Sequence, residues 1–108
     1  MNSDDFYQEA GSVAEQKIAA LKKLSFAEAA DLPGAVLDDI VVGSKEVQMT
    51  VFKQQGIHAL GDSILITVQL TRAGLGGVIN YQLEKGLVFF PDGEVRDATE
   101  QELQDTGG

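Results

Sequence analysis

Ser63-Ile64-Leu65-Ile66-Thr67-Val68-Gln69-Leu70-Thr71 is the cleanest periodic stretch in the chain. Ile64, Ile66, Val68 and Leu70 fall on one parity, while Ser63, Leu65, Thr67, Gln69 and Thr71 fall on the other. A period of two is the signature of a β-strand with unlike faces. The same rhythm extends in both directions. Upstream, Val47, Met49 and Val51 alternate with Glu46, Gln48, Thr50 and Phe52. Val36 to Val42 is a further strand candidate, joined to that one by a hairpin turn at Gly43-Ser44-Lys45. Downstream, Ile79, Tyr81 and Leu83 alternate with Asn80, Gln82 and Glu84. Glu84-Lys85-Gly86 reads as a tight turn or as a bulge within one long strand. Leu87-Val88-Phe89-Phe90 is apolar on both parities and ends at the turn signal Pro91-Asp92-Gly93.

Ahead of the strands the period is helical. Phe6, Ala10, Val13, Ala14, Ile18 and Leu21 make one apolar stripe, which predicts a long amphipathic helix over roughly residues 4–24. Ser25 and Glu28 have capping-box spacing, so the helix either bends at Ser25 or hands over to a short second helix. Pro33-Gly34 closes the helical part. At the other end, Asp97 or Thr99 caps a short helix containing Glu100 to Leu103. The expected class is α+β: a long N-terminal helix packed on a four- to five-stranded antiparallel meander, with a short C-terminal helix. Residues 1–32 are helical, 35–96 form the sheet and 97–108 form the short helix and tail, within one domain.

The chain has 108 residues, a net charge of −9 and no cysteine. Disulfides, thiolate metal sites and cysteine nucleophiles are therefore excluded. Asp4, Asp5, Glu9 and Glu15 sit near the start without a base. Asp92, Glu94, Asp97, Glu100, Glu102 and Asp105 stand against Arg96 alone near the end, and residues 17–90 balance. A surface of this sign repels phosphate backbones and anionic lipid, so neither nucleic acid nor membrane is an expected partner. Met1-Asn2-Ser3-Asp4-Asp5 lacks the basic and apolar regions of a signal peptide, and no apolar run approaches bilayer length. The expectation is a cytoplasmic protein.

Catalytic and cofactor motifs are weak. Gly74-x-Gly76-Gly77 is followed by a strand pattern rather than a helix, so it reads as a hairpin turn and not a phosphate loop. His58 is the only histidine, and its loop gives Asp62 and Ser63 no enforced triad geometry. Asp38 and Asp39 point to opposite faces of a strand and are not a carboxylate pair. No cofactor, no metal and no enzymatic activity are expected.

The two faces of the sheet differ in kind. Val47, Met49, Val51, Ile64, Ile66, Val68, Leu70, Ile79, Tyr81 and Leu83 are assigned to the face beneath the helix. The other face collects amides and hydroxyls around an apolar centre, with charge only at Glu46 and Glu84. Interfaces lose charge at their cores in this way while keeping hydrogen-bonding groups. The expected function is that of a non-catalytic interaction module using Thr50, Phe52, Leu65, Thr67, Gln69, Asn80 and Gln82, bound to a second copy as a homodimer or to another protein. A basic partner suits the acidic ends, as when a small acidic immunity-type protein neutralises a toxin. The alternative is a small-molecule cavity between helix and curved sheet, with Tyr81 as its polar lining. The Phe89-Phe90 segment is expected to be covered by the C-terminal helix through Leu103.

A long helix followed by an antiparallel meander is similar to cystatin-like folds. Inhibitory cystatins carry a Gln-x-Val-x-Gly hairpin, and Asp39-Ile40-Val41-Val42-Gly43 has the Val and Gly with Asp in place of Gln. The resemblance is one of topology over residues 4–90. It implies no protease inhibition, and no family is assigned from it.

Overall fold

The computed structural model describes residues 3–43, 45–55, 61–73 and 79–105, with side chains described for all of these except 3–5, 73, 79–81 and 104–105. Its elements are α1 (Ser3–Leu21), α2 (Phe26–Ala30), β1 (Ala35–Val42), β2 (Lys45–Gln55), β3 (Ile64–Ala73), β4 (Ile79–Phe89), β5 (Val95–Asp97) and α3 (Glu100–Asp105). The strands form one antiparallel sheet in the order β1-β2-β3-β4-β5, a meander in which every neighbour is also the next strand in the chain. The expected α+β class is the observed one. His58 and the glycines of 74–77 lie outside the described residues, as does the 56–60 part of the loop before β3.

α1 covers one face of this sheet. Phe6, Ala10, Ala14, Ile18 and Leu21 are all buried against Val47, Met49, Val51, Ile64, Ile66, Val68, Leu70, Leu87 and Phe89. Ala10 and Ala14, at the middle of the stripe, let the helix backbone approach the sheet closely. The larger residues at its ends fill the flanks. α1 stops at Leu21 rather than at residue 24, because the next turn tightens. The amides of Lys23 and Leu24 donate to the carbonyls of Ala20 and Leu21, a three-residue spacing. Ser25 then starts α2 with both halves of a capping box: the Glu28 amide donates to Ser25 Oγ at 3.1 Å, and the Ser25 amide donates to Glu28 Oε1 at 2.9 Å. Handover to a second helix is the outcome. Lys53 Nζ donates to the Ala30 carbonyl at 2.7 Å and ties the end of α2 to β2.

Two strand expectations need correcting. Glu84-Lys85-Gly86 is neither a turn nor a bulge. β4 runs unbroken through it, with Gly86 opposite Thr67, and the register irregularity of this pair lies instead at Arg72/Ala73. Leu87-Val88-Phe89 is the end of β4, and the fifth strand is Val95–Asp97, which follows the turn at Gly93 (φ 97°).

α3 packs on the opposite face from α1. It is started by a second capping box, in which the Glu102 amide donates to Thr99 Oγ1 and the Thr99 amide to Glu102 Oε1. Of the two cap candidates, Thr99 is the one used. Leu103 closes over Leu65 and Val88, with Phe90 and Ala98 at its margin. Phe89 points into the α1 side and Phe90 to the α3 side, so the C-terminal helix does cover this segment.

Candidate functional site

The side of the sheet away from α1 can be laid out in rows from the strand registers, because directly opposed residues in antiparallel strands share a face. From the hairpin end these rows are Val41–Glu46, then Asp39–Gln48–Thr71–Gln82, then Leu37–Thr50–Gln69–Glu84, then Ala35–Phe52–Thr67–Gly86, and last Gln54–Leu65–Val88–Arg96. α3 sits on the last row and on Gly86. The rows before it are open.

This layout redistributes the expected interface residues. Leu65 is fully buried beneath Leu103 and offers nothing to a partner, which corrects its place in the expected surface. The cause is a single leucine on a six-residue helix. Thr50, between Leu37 and Gln69, and Thr67, between Phe52 and the Gly86 position that α3 overlies, are buried to 5% and 6% exposure, so they form the floor of the face rather than its contact points. Phe52 and Gln69 are half-buried and Gln82 is exposed. Asn80 belongs to β4, but its side chain and that of Tyr81 are outside the described set.

The amides are not idle. Gln69 Nε2 and Gln82 Nε2 donate to the same Glu84 oxygen, at 3.1 Å and 2.9 Å. Glu84 is thus the acceptor that organises the polar rows, and Asp39 joins Glu46 and Glu84 as a third carboxylate on this face.

The residues that stand out were not singled out from the sequence. β1 is one of the two edges of the sheet, and its side chains are exposed along nearly its whole length. Leu37 is 60% exposed, Val41 67% and Val36 37%. Leu37 and Val41 belong to the outer face and flank Asp39. The signal was available, since the first strand of any meander is an edge by construction, and Ala35-Val36-Leu37-Asp38-Asp39-Ile40-Val41-Val42 is apolar apart from its two aspartates.

The backbone of β1 completes the site. The Lys53 amide donates to the Gly34 carbonyl at 2.9 Å, which makes residues 34 and 53 a hydrogen-bonded pair. Hydrogen-bonded and non-bonded pairs alternate along an antiparallel ladder. The even residues Val36, Asp38, Ile40 and Val42 therefore turn their N–H and C=O groups to β2. Those of Ala35, Leu37, Asp39 and Val41 point outward from the sheet. Neither Asp38 nor Asp39 takes part in an ion pair among the described residues. Beside Val41 an open depression of about 460 Å³ wraps around the edge, lined by Asp39, Ile40, Val41, Glu46, Val47, Gln48 and Thr71.

A second depression, of about 230 Å³, lies between α1 and the C-terminal part of the sheet, lined by Glu15, Ile18, Glu84, Lys85, Asp97, Ala98, Glu100 and Leu103. Tyr81, the polar lining expected for a cavity beneath α1, has its side chain outside the described set. Among the described residues, no group of three or more His, Asp or Glu is placed to hold a metal ion, and no helix is long and apolar enough to cross a membrane. Arg96 and Glu102 form a two-pronged ion pair at 2.8 and 2.7 Å. Its hydrogen bonds hold the Glu102 carboxyl down at about 2, and they raise Arg96. This pair pins α3 to β5 and is structural. In comparisons with protein-family models, curated proteins and solved structures, no match to this chain was found.

Proposed function

We propose that the protein is a non-catalytic interaction module of the cytoplasm, which binds another protein through β1 and the open rows of the outer sheet face. One observation carries the reading: Leu37 and Val41 stand mostly exposed on an edge strand whose outward backbone groups have no partner strand. Long apolar edges are hazards that folded proteins cover or blunt, so one kept open in the isolated chain fits a surface made to be covered. The polar rows beside it supply hydrogen-bonding groups with little charge. Gln48 stands beside Asp39, with Thr71 and then Gln82 beyond it in the same row, and Phe52 lies diagonally across from Leu37. The acidic balance of the chain favours a basic partner and speeds encounter with it at low salt.

The test uses a photo-activated cross-linking residue at position 37, expressed in the cells that make the protein. The control places the same residue at Gln16, on the exposed side of α1. A discrete protein adduct from position 37 and none from position 16 is the expected result. Equal labelling from both positions, or none from position 37, overturns the proposal.

A further inference from the structure

Building on that reading, we infer that β1 accepts one extended segment of a basic partner as a sixth, antiparallel strand, with cationic side chains set against Asp39 and Asp38. Three features of the edge converge on this occupant. Outward N–H and C=O groups recur at Leu37, Asp39 and Val41, the spacing that an added strand pairs with. Those same residues turn their side chains to the outer face in the order apolar, acidic, apolar. Opposite them, an added strand places apolar, basic and apolar side chains on every second residue. On the α1 side of the edge, Val36, Asp38 and Ile40 ask for a second cation at the neighbouring position.

Charge complementarity separates this occupant from a second copy of the chain. A two-fold pairing of two β1 strands that sets Leu37 against Val41 also sets the two Asp39 carboxylates opposite each other. Like charges directly opposed across strands are unfavourable. With neither aspartate ion-paired among the described residues and a net charge of −9, self-pairing is opposed both locally and over the whole surface. The two aspartates act as a filter. They refuse neutral or acidic strands that the apolar edge would otherwise take, and they reward a basic one.

The probe is the end-blocked peptide Thr-Val-Thr-Arg-Lys-Val-Thr-Thr, written antiparallel to residues 42 to 35, with a control carrying Glu in place of Arg and Lys. Binding to the full-length protein is followed by calorimetry and by residue-resolved amide exchange. The basic peptide should bind and the acidic one should not, and affinity should fall as salt is raised. New protection should appear at Leu37, Asp39 and Val41 but not at Asp38 or Ile40, whose amides already serve β2. The Asp38→Asn, Asp39→Asn double variant should bind roughly fivefold or more weakly. Val41→Pro should abolish strand addition while sparing the β1–β2 ladder, because the Val41 amide points outward.

Binding that is equal for both peptides, or unchanged by the Asn substitutions, overturns the charge filter. Protection without the odd-residue alternation overturns strand addition, as does unchanged binding by a folded Val41→Pro. Self-association of the unmodified chain at pH 7 that Val41→Pro removes would assign the edge to a second copy and overturn the inference. A cross-link from position 37 with no peptide binding would leave the interaction surface standing and remove only its strand-accepting, base-selective character.

Discussion

Gly86 is the most exacting point of the fold, and Gly86→Ala tests why. Its φ is not positive, so an L side chain meets no backbone strain there. In the middle of an ordinary strand the change to alanine is neutral, or stabilises by about 0.4–1 kcal/mol through the unfolded chain. Here an added Cβ would lie 2.8 Å from Leu103 Cδ2, 3.1 Å from Ala98 Cβ and 3.1 Å from the Ile66 carbonyl oxygen. The leucine methyl can swing away and Ala98 can give by a few tenths of an ångström as α3 lifts, but the carbonyl belongs to the central strand and gives little, so that contact stays as strain. Overpacking of this kind costs about 1–3 kcal/mol, a fall in melting temperature of roughly 4–15 °C for a domain of this size. Urea unfolding followed by circular dichroism reads the change. Leu103→Ala alone should cost about 2–3 kcal/mol by exposing Leu65 and Val88 and leaving a cavity. In the double variant the shortest of the three contacts is gone, so the two losses should add to less than their sum. A Gly86→Ala protein as stable as the parent, or strictly additive losses, would refute the claim that close approach of α3 requires this glycine.

Glu102→Gln should cost about 1–2 kcal/mol at neutral pH, a figure kept low because Arg96 is substantially exposed. The Glu102 carboxyl is lowered from 4.5 to about 2 in the folded chain, so its contribution is complete above about pH 4.5 and lost as pH falls toward 2. The stability gap between parent and variant, measured by denaturant titration, should close over that window and stay constant above it. Ser25→Ala removes one half of the α2 capping box and should lower stability by about 1 kcal/mol in the same assay. Ile66→Ala, at a fully buried position in the central strand, should cost about 2–5 kcal/mol. Gln48→Ala, exposed on the outer face, should stay within about 0.5 kcal/mol.

The sheet was legible because its strands are one-sided. Each apolar parity from Val47 to Leu70 lands beneath α1, and the Ser25/Glu28 capping box marks a helix start through backbone hydrogen bonds that such a sequence makes locally, while the choice of Thr99 over Asp97 shows only in the structure. What escaped the reading lies in tertiary packing. Leu65 has the right parity for an open outer face, and only the fold of residues 90–103 brings Leu103 over it. Gly86 resembles a turn residue because glycine usually punctuates chains, whereas here its missing side chain makes room for a helix. The edge strand is masked for a different reason. Low charge is what marks an interface in a sequence, and Asp38 and Asp39 place charge in the middle of an otherwise apolar strand.

Because β1-β2-β3-β4-β5 follow one another in space as in sequence, each ladder closes only the short loop between its own two strands. Such pairing demands little chain entropy and forms quickly. The contact of α1 with β3 and β4 is different, since Phe6 to Leu21 must wait for strands some tens of residues downstream. On a growing chain the helix precedes the strands and has only β1 and β2 to cover until β3 is out. The apolar stripe of α1 is therefore incompletely protected until the central strands arrive. Its modest content, with alanine at two of its five buried positions, limits how sticky that waiting surface is.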